Sequence, residues 1–243
     1  MIKLISWFGR LGNNIIQLSN MIDIALTYKH AIKFRISHRL FNIKIIEDYF
    51  SKYNNSDLVT DKYNFYYKNK LPYLNETYQL HSEERNKILK EAFLIKNIEK
   101  LHEDDLIIHI RSGDIFSSFP HSRYVPPPLS YYIKQINKRN YRKIIIVCED
   151  NINPVVNHLL GLYKNAIYSK NNLEKDIRLI LGATNIIFSV GTFIPSLVLV
   201  SDNIKYLYGG EFGLDELQDY YKIMLPWKNT EKQRNYILTY NYT

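Results

Sequence analysis

The stretch IIHIRSGDIFSSFPHSRYVPPPLSYY, residues 107 to 132, decides the reading of this chain. Leu106 to Ile110 is a mostly apolar, β-branched run of the length expected of a buried strand. His109, Arg111 and Asp114 stand at its end, with Ser112 and Gly113 between the last two. Open α/β sheets bind ligands where a buried strand gives way to a loop. Gly113 permits a sharp turn there, and Arg111 offers a planar, permanently charged fork suited to phosphate oxygens. A plain strand end, with a surface arginine paired to Asp114, is the other reading of these residues taken alone. The stretch leaves through Tyr124 and the rigid triplet Pro126 to Pro128 into a helix beginning near Leu129.

Downstream the pattern alternates. The spacing predicts a helix over 129–139, a strand over 143–148, a helix from about Pro154 and a strand over 166–168. A helix over 173–183, a strand over 185–188, a helix from about Phe193 and a strand over 204–208 follow. Strands alternating with helices imply parallel βαβ units and a doubly wound sheet. The carboxyl ends of such strands share a rim, which brings together His109–Asp114, Glu149–Asp150 and Ser189–Thr192. Ser189-Val190-Gly191-Thr192 runs into a helix, so it reads either as a phosphate-holding loop or as a small-residue cap.

Upstream, an apolar strand over 2–7 is followed by Gly9-Arg10-Leu11-Gly12-Asn13-Asn14 and a helix carrying Ile15, Leu18, Met21, Ile22 and Ala25. The loop matches neither G-x-G-x-x-G nor a Walker A sequence. Gln17 falls on the same side as Asn13 or Asn14. A short strand is expected over 31–36. Residues 40–80 are rich in Asn, Lys and Tyr, including Tyr49, Tyr53, Tyr63, Tyr66, Tyr67, Tyr73 and Tyr78, and read as an irregular insertion or an acceptor-binding surface. Ser82 to Asn97 has the cap, the first-turn Glu83 and Glu84, and the apolar spacing of an amphipathic helix.

Composition bounds these readings. The chain has 243 residues, 46 % of them hydrophobic, with 21 tyrosines, which is globular rather than disordered. Cys148 is the single cysteine, so no intrachain disulfide is available and a reducing compartment is expected. Neither a signal peptide nor the roughly 18 uninterrupted apolar residues of a membrane span is found, so a cytoplasmic, microbial or viral protein is expected. Sequons at Asn54, Asn75 and Asn241 then read as chance. The net charge of +8 favours an anionic partner or peripheral contact with a membrane face. Its lysines and arginines are scattered, and no nucleic-acid motif accompanies them, so no nucleic acid is expected.

HIRSGD at 109–114 and DIRLILGATNIIFSVGTF at 176–193 together resemble the GDP-fucose-dependent fucosyltransferase superfamily. GRLGNNIIQ at 9–17 is similar to the opening of its α-1,2 branch, glycosyltransferase family 11. The three blocks run from Trp7 to about Leu199, in the family's order. The resemblance implies an α/β, GT-B-like fold: two Rossmann-like lobes with parallel sheets, the N-terminal one small and irregular. It implies an acceptor-side lobe over 1–102, a nucleotide-sugar-binding lobe over 103–220, and a segment 221–243 that could pack back on the N-terminal lobe. It implies a metal-independent, inverting transfer of a sugar, L-fucose from GDP-fucose first, to a glycan hydroxyl. No cofactor is implied; the partners are the nucleotide-sugar donor and a glycan acceptor. The absence of an Asp-x-Asp sequence agrees with that.

By the same resemblance, Arg111 binds the β-phosphate as it leaves and Asp114 holds the arginine. His109 and Asp176 contact the guanosine, Ser189, Gly191 and Thr192 clamp the phosphates, and Gly9, Gly12 and Asn13 face the fucose or acceptor. The chain departs from the family at Ser112, where a second arginine is usual, at Asn14, and in SVGTFIPS. No carboxylate occurs between Asp114 and Glu149, which leaves His121 as the candidate base near neutral pH. A GDP-mannose-like donor, or a non-catalytic basic protein of the same fold that binds a nucleotide or glycan, are the alternatives.

Overall fold

The computed structural model describes residues 1–53, 65–67, 78–210 and 215–242. Tyr63, Tyr73, the sequons at Asn54 and Asn75, and Thr243 of the third sequon lie outside the described residues. The chain divides into two compact units. One comprises Met1–Asn97 with Pro195–Ser201, the other Ile98–Ile194 with Asp202–Thr243. Both are mixed α/β and both are built on parallel strands.

In the first unit, β1 (Ile2–Leu4) pairs in parallel with β2 (Ile32–Phe34) through the long helix α1 (Leu11–Tyr28). Ile15, Leu18, Ile22 and Ala25 of α1 are fully buried, as their helical spacing predicts. Two buried polar side chains of the helix, Asn20 and Asp23, have partners outside it, as does the half-buried Thr27. Asn20 Nδ2 donates to the Phe65 carbonyl at 2.7 Å, Asp23 accepts from the His81 amide at 3.0 Å, and Thr27 Oγ1 donates to the Gln79 carbonyl at 3.1 Å. Asp23 also forms a buried ion pair with Arg85 at 2.7 Å. These bonds tie the far end of the irregular region to the helix. Two further helices, α2 (Ile43–Phe50) and α3 (Ser82–Ala92), complete the unit. α3 ends five residues earlier than its spacing predicts, because Phe93 turns extended and bridges Phe41.

The second unit holds the alternation read from the sequence. Its strands are β3 (Asp105–His109), β4 (Lys143–Val147), β5 (Ala166–Ser169), β6 (Asn185–Phe188) and β7 (Tyr206–Tyr208). The sheet is parallel throughout, in the order β5-β4-β3-β6-β7. The chain thus steps outward from β3 to β5, then returns to β3's other side. This reversal opens a crevice at the carboxyl ends of β3 and β6, the topological switch point. The connecting helices are α4 (Leu129–Ile136), α5 (Pro154–Leu162) and α6 (Leu173–Gly182); α7 (Phe193–Val198) starts in this unit, and from Pro195 its residues belong to the first.

Leu106, Ile108, Ile144 and Ile146 share one sheet face by the two-residue period, and pack into a core with Tyr131, Tyr132, Val155 and Leu159. The same core takes in α8 (Gln218–Met224), Trp227 and Ile237 of α9 (Glu231–Thr239). Among the contacts that residues 221–243 make, Trp227 Nε1 donates to the Ile115 carbonyl at 2.6 Å, and Ser130 Oγ to that of Tyr240 at 2.7 Å. Cys148 is buried in this core; burial raises its thiol pKa to about 12, which leaves it unreactive. No helix among the described residues is long and apolar enough to cross a membrane.

Candidate functional site

Arg111 lies two residues beyond β3, at the crevice. Its backbone N–H donates to Ser189 Oγ at 3.0 Å, and the Ser189 N–H donates to the His109 carbonyl at 3.1 Å, so the two strand ends are stitched together. The guanidinium is held on two sides. Nε and Nη2 donate to the two carboxylate oxygens of Asp114 at 3.2 and 2.8 Å, a bidentate fork. One face of the group lies over the Tyr124 ring, with Cζ 3.9 Å from the ring centre.

The remaining nitrogen, Nη1, faces Gly191, where a Cβ would stand 2.6 Å from it. Gly191 has φ +103°, a conformation that side-chain-bearing residues rarely adopt. Glycine is therefore required here for both backbone and space. Burial opposes the charge on Arg111, but the hydrogen bonds and charge of Asp114, with Tyr124, more than offset it and raise the guanidinium's pKa. The cation is permanent, oriented and only partly exposed.

Beneath the arginine is a polar support that the sequence alone did not reveal. Asn153 is fully buried; its Nδ2 donates to the Arg111 carbonyl at 3.1 Å, and its Oδ1 caps α5 through the Val155 N–H at 3.1 Å. Its own N–H donates to Ser112 Oγ at 3.1 Å, and Ser112 Oγ in turn donates to Asp150. Ser112 therefore points into the protein, and the usual second arginine has no counterpart at the crevice from that position. Asn153-Pro154 is legible as a helix start. Its second bond, across 42 residues, carries no local signal.

The other expected residues divide. His109 ends β3, with its ring against Phe193 at 5.2 Å between centres. Burial, then the charge of Arg111, lowers its pKa to about 4, so the ring is neutral at pH 7. Its Nδ1 is buried with no protein partner among the described residues. Thr192 and Ser189 are buried beside Gly191 on the β6 loop. Asp176, in the first turn of α6, accepts from Ser169 Oγ at the end of β5 at 3.2 Å. That is the same carboxyl edge but two strands from β3. Burial raises its pKa, with Ser169 and Asn171 acting against that.

His121 is exposed, and its ring lies tilted against that of Tyr124 with 4.7 Å between centres; Tyr124 in turn touches Arg111. Glu149 closes off Gly113: a Cβ there would meet its Oε2 at 2.7 Å.

Gly9, Gly12 and Asn13 lie in the first unit, at the start of α1. The residues around them work on the loop itself. Gln17 is fully buried; its Oε1 accepts from the Phe8 N–H at 2.8 Å, and Asn14 Nδ2 donates to the Phe8 carbonyl at 3.0 Å. His38 Nε2 meets Asn14 Oδ1 at 3.2 Å. The asparagine and glutamine of GRLGNNIIQ thus fix the turn between β1 and α1. The Asn- and Tyr-rich region borders a cleft of ≈ 590 Å³ lined by Tyr49, Leu80, His81, Glu83, Glu84 and Glu91. It holds none of the candidate residues.

No protein-family model and no curated protein matches the chain. Among solved structures, the chain is similar to POFUT1 in complex with GDP, with a TM-score of 0.48 and 11 % identity over 88 % of this chain and 98 % of that one. It is similar to POFUT1 in complex with GDP-fucose, with a TM-score of 0.48 and 10 % identity over the same shares of the two chains.

Proposed function

We propose that this chain is a metal-independent, inverting glycosyltransferase that moves a sugar from a nucleoside-diphosphate donor, GDP-fucose in the first instance, to a glycan hydroxyl. The observation that carries this is the Arg111 guanidinium, fixed by Asp114 and Tyr124 at the switch point with Nη1 directed at the Gly191 turn. In such a transfer the bond between the sugar's anomeric carbon and the diphosphate breaks. The electron pair stays on the diphosphate oxygen, while the acceptor oxygen bonds to the opposite face and gives its proton to a general base, for which His121 is the candidate. A preorganised cation and the amides of the Ser189–Thr192 loop stabilise the negative charge as it develops. Neutral His109 offers a ring nitrogen to a base or ribose hydroxyl without a competing positive charge.

Arg111→Ala is expected to retain its fold and to lose on the order of 10²–10³ in transfer rate. Calorimetric titration with GDP, UDP and a duplex oligonucleotide tests the donor class. Binding of GDP alone supports the reading, and tight oligonucleotide binding without a GDP response replaces it with a basic binding protein. Turnover of GDP-mannose in preference to GDP-fucose would reassign the sugar.

A further inference from the structure

Between Asp114 and Tyr124, the two residues that hold Arg111, the chain makes a short loop. It is pinned at both ends. Ser117 Oγ donates to the Asp114 carbonyl at 2.8 Å, Asn229 Nδ2 donates to the Phe116 and Ser117 carbonyls at 2.6 and 3.1 Å, and the Trp227 N–H donates to the Ser122 carbonyl at 2.9 Å. The Tyr124 N–H returns to the His121 carbonyl at 3.1 Å.

The tip of this held loop is Ser118-Phe119-Pro120, and Phe119 is 96 % exposed. Every other exposed large hydrophobic among the described residues shows 62 % or less. Lone exposed apolar residues are ordinary on protein surfaces. A bare phenyl ring on a loop fastened at both ends, and hung from the two partners of the leaving-group cation, is a different arrangement. His121 and Arg123 stand exposed beside it.

We infer that Phe119 and its loop form the acceptor-docking element of the enzyme proposed above, taking the apolar face of an acceptor sugar ring against the phenyl, with His121 and Arg123 hydrogen-bonding its hydroxyls. The inference rests on the glycosyltransferase reading. An aromatic ring suits the C–H face of a pyranose, and cationic or neutral nitrogen donors suit its edge. The loop begins at Asp114 and ends at Tyr124, so a sugar docked on it is carried by the chain segment that holds Arg111.

The test uses the full chain, with GDP-fucose as donor and the methyl glycosides of galactose, glucose, mannose, N-acetylglucosamine and N-acetylgalactosamine as acceptor probes. Donor hydrolysis is followed separately. Phe119 makes no buried contacts, so its variants are expected to fold as the parent does. Phe119→Ala is expected to raise the KM for the accepted glycoside about tenfold. GDP affinity and donor hydrolysis should be unchanged, and Phe119→Tyr should restore the KM. An unchanged acceptor KM in Phe119→Ala, or hydrolysis with none of the five glycosides accepted, overturns the inference. Absence of both GDP binding and donor hydrolysis in the parent protein overturns the glycosyltransferase reading instead.

Discussion

Gly191→Ala is the sharpest probe of the site. At φ +103° an L side chain costs about 1–3 kcal/mol. The added methyl would start 2.6 Å from Arg111 Nη1, so the guanidinium must retreat by ~0.8 Å to reach an ordinary 3.4 Å separation. It cannot do so while keeping both the Asp114 fork and the Tyr124 stack, since both fix the plane of the group. A cation displaced by that much is expected to cost on the order of 10²-fold in turnover. A stability loss of about 2 kcal/mol would lower Tm by roughly 4–8 °C.

The assay is paired: thermal unfolding, and donor hydrolysis with GDP affinity, on Gly191→Ala and on Gly161→Ala. At Gly161, in α5, nothing lies within 4 Å of a built Cβ, so that variant should be unchanged in activity and stabilised by about 0.5–1 kcal/mol. A Gly191→Ala protein that is less stable yet hydrolyses donor at the parent rate would refute the claim that Nη1 faces the leaving group.

Other expectations concern the supports. Asn153→Ala removes a helix cap and the bond to the Arg111 carbonyl, and should cost about 2–3 kcal/mol in a urea titration while weakening GDP binding. Arg85→Met leaves Asp23 buried without its cation, and a loss of about 3–5 kcal/mol is expected; a change below 1 kcal/mol would show that water reaches Asp23. For His109 the folded-state pKa of about 4 lies below its ordinary value of 6.5, so the unfolded chain binds the extra proton first. Its contribution to stability is therefore complete above pH 6.5 and is lost as the pH falls toward 4. A denaturation series across that window should show the decline, with a shallower slope in His109→Asn.

The second unit is legible in the sequence because its elements are locally encoded. Ile144–Val147 and Asn185–Phe188 are short apolar runs bounded by polar turns, and Asn153-Pro154 and Asn172 mark helix starts that the structure keeps. What is not local was not legible. Strand order follows from which faces pack, so the pairing of β3 with β6 could be expected only as a class of topology. The cation–π contact of Tyr124 and the Asn153 amide act across 13 and 42 residues, with no spacing rule to betray them. In the first unit, β1 is three residues rather than six because Gln17 takes the Ser6 and Phe8 backbone groups that a longer strand would have used. The apolar period of α1 marks its core face but not that Asn20 and Asp23 are also inside, each satisfied by a distant segment.

The bond from Trp227 to the Ile115 carbonyl spans 112 residues. During translation the arginine and its carboxylate therefore leave the ribosome long before the indole that braces their loop. A nascent chain released before that tryptophan would carry every residue assigned to the donor and still lack the brace that shapes the mouth, so partial products should be inert rather than leaky.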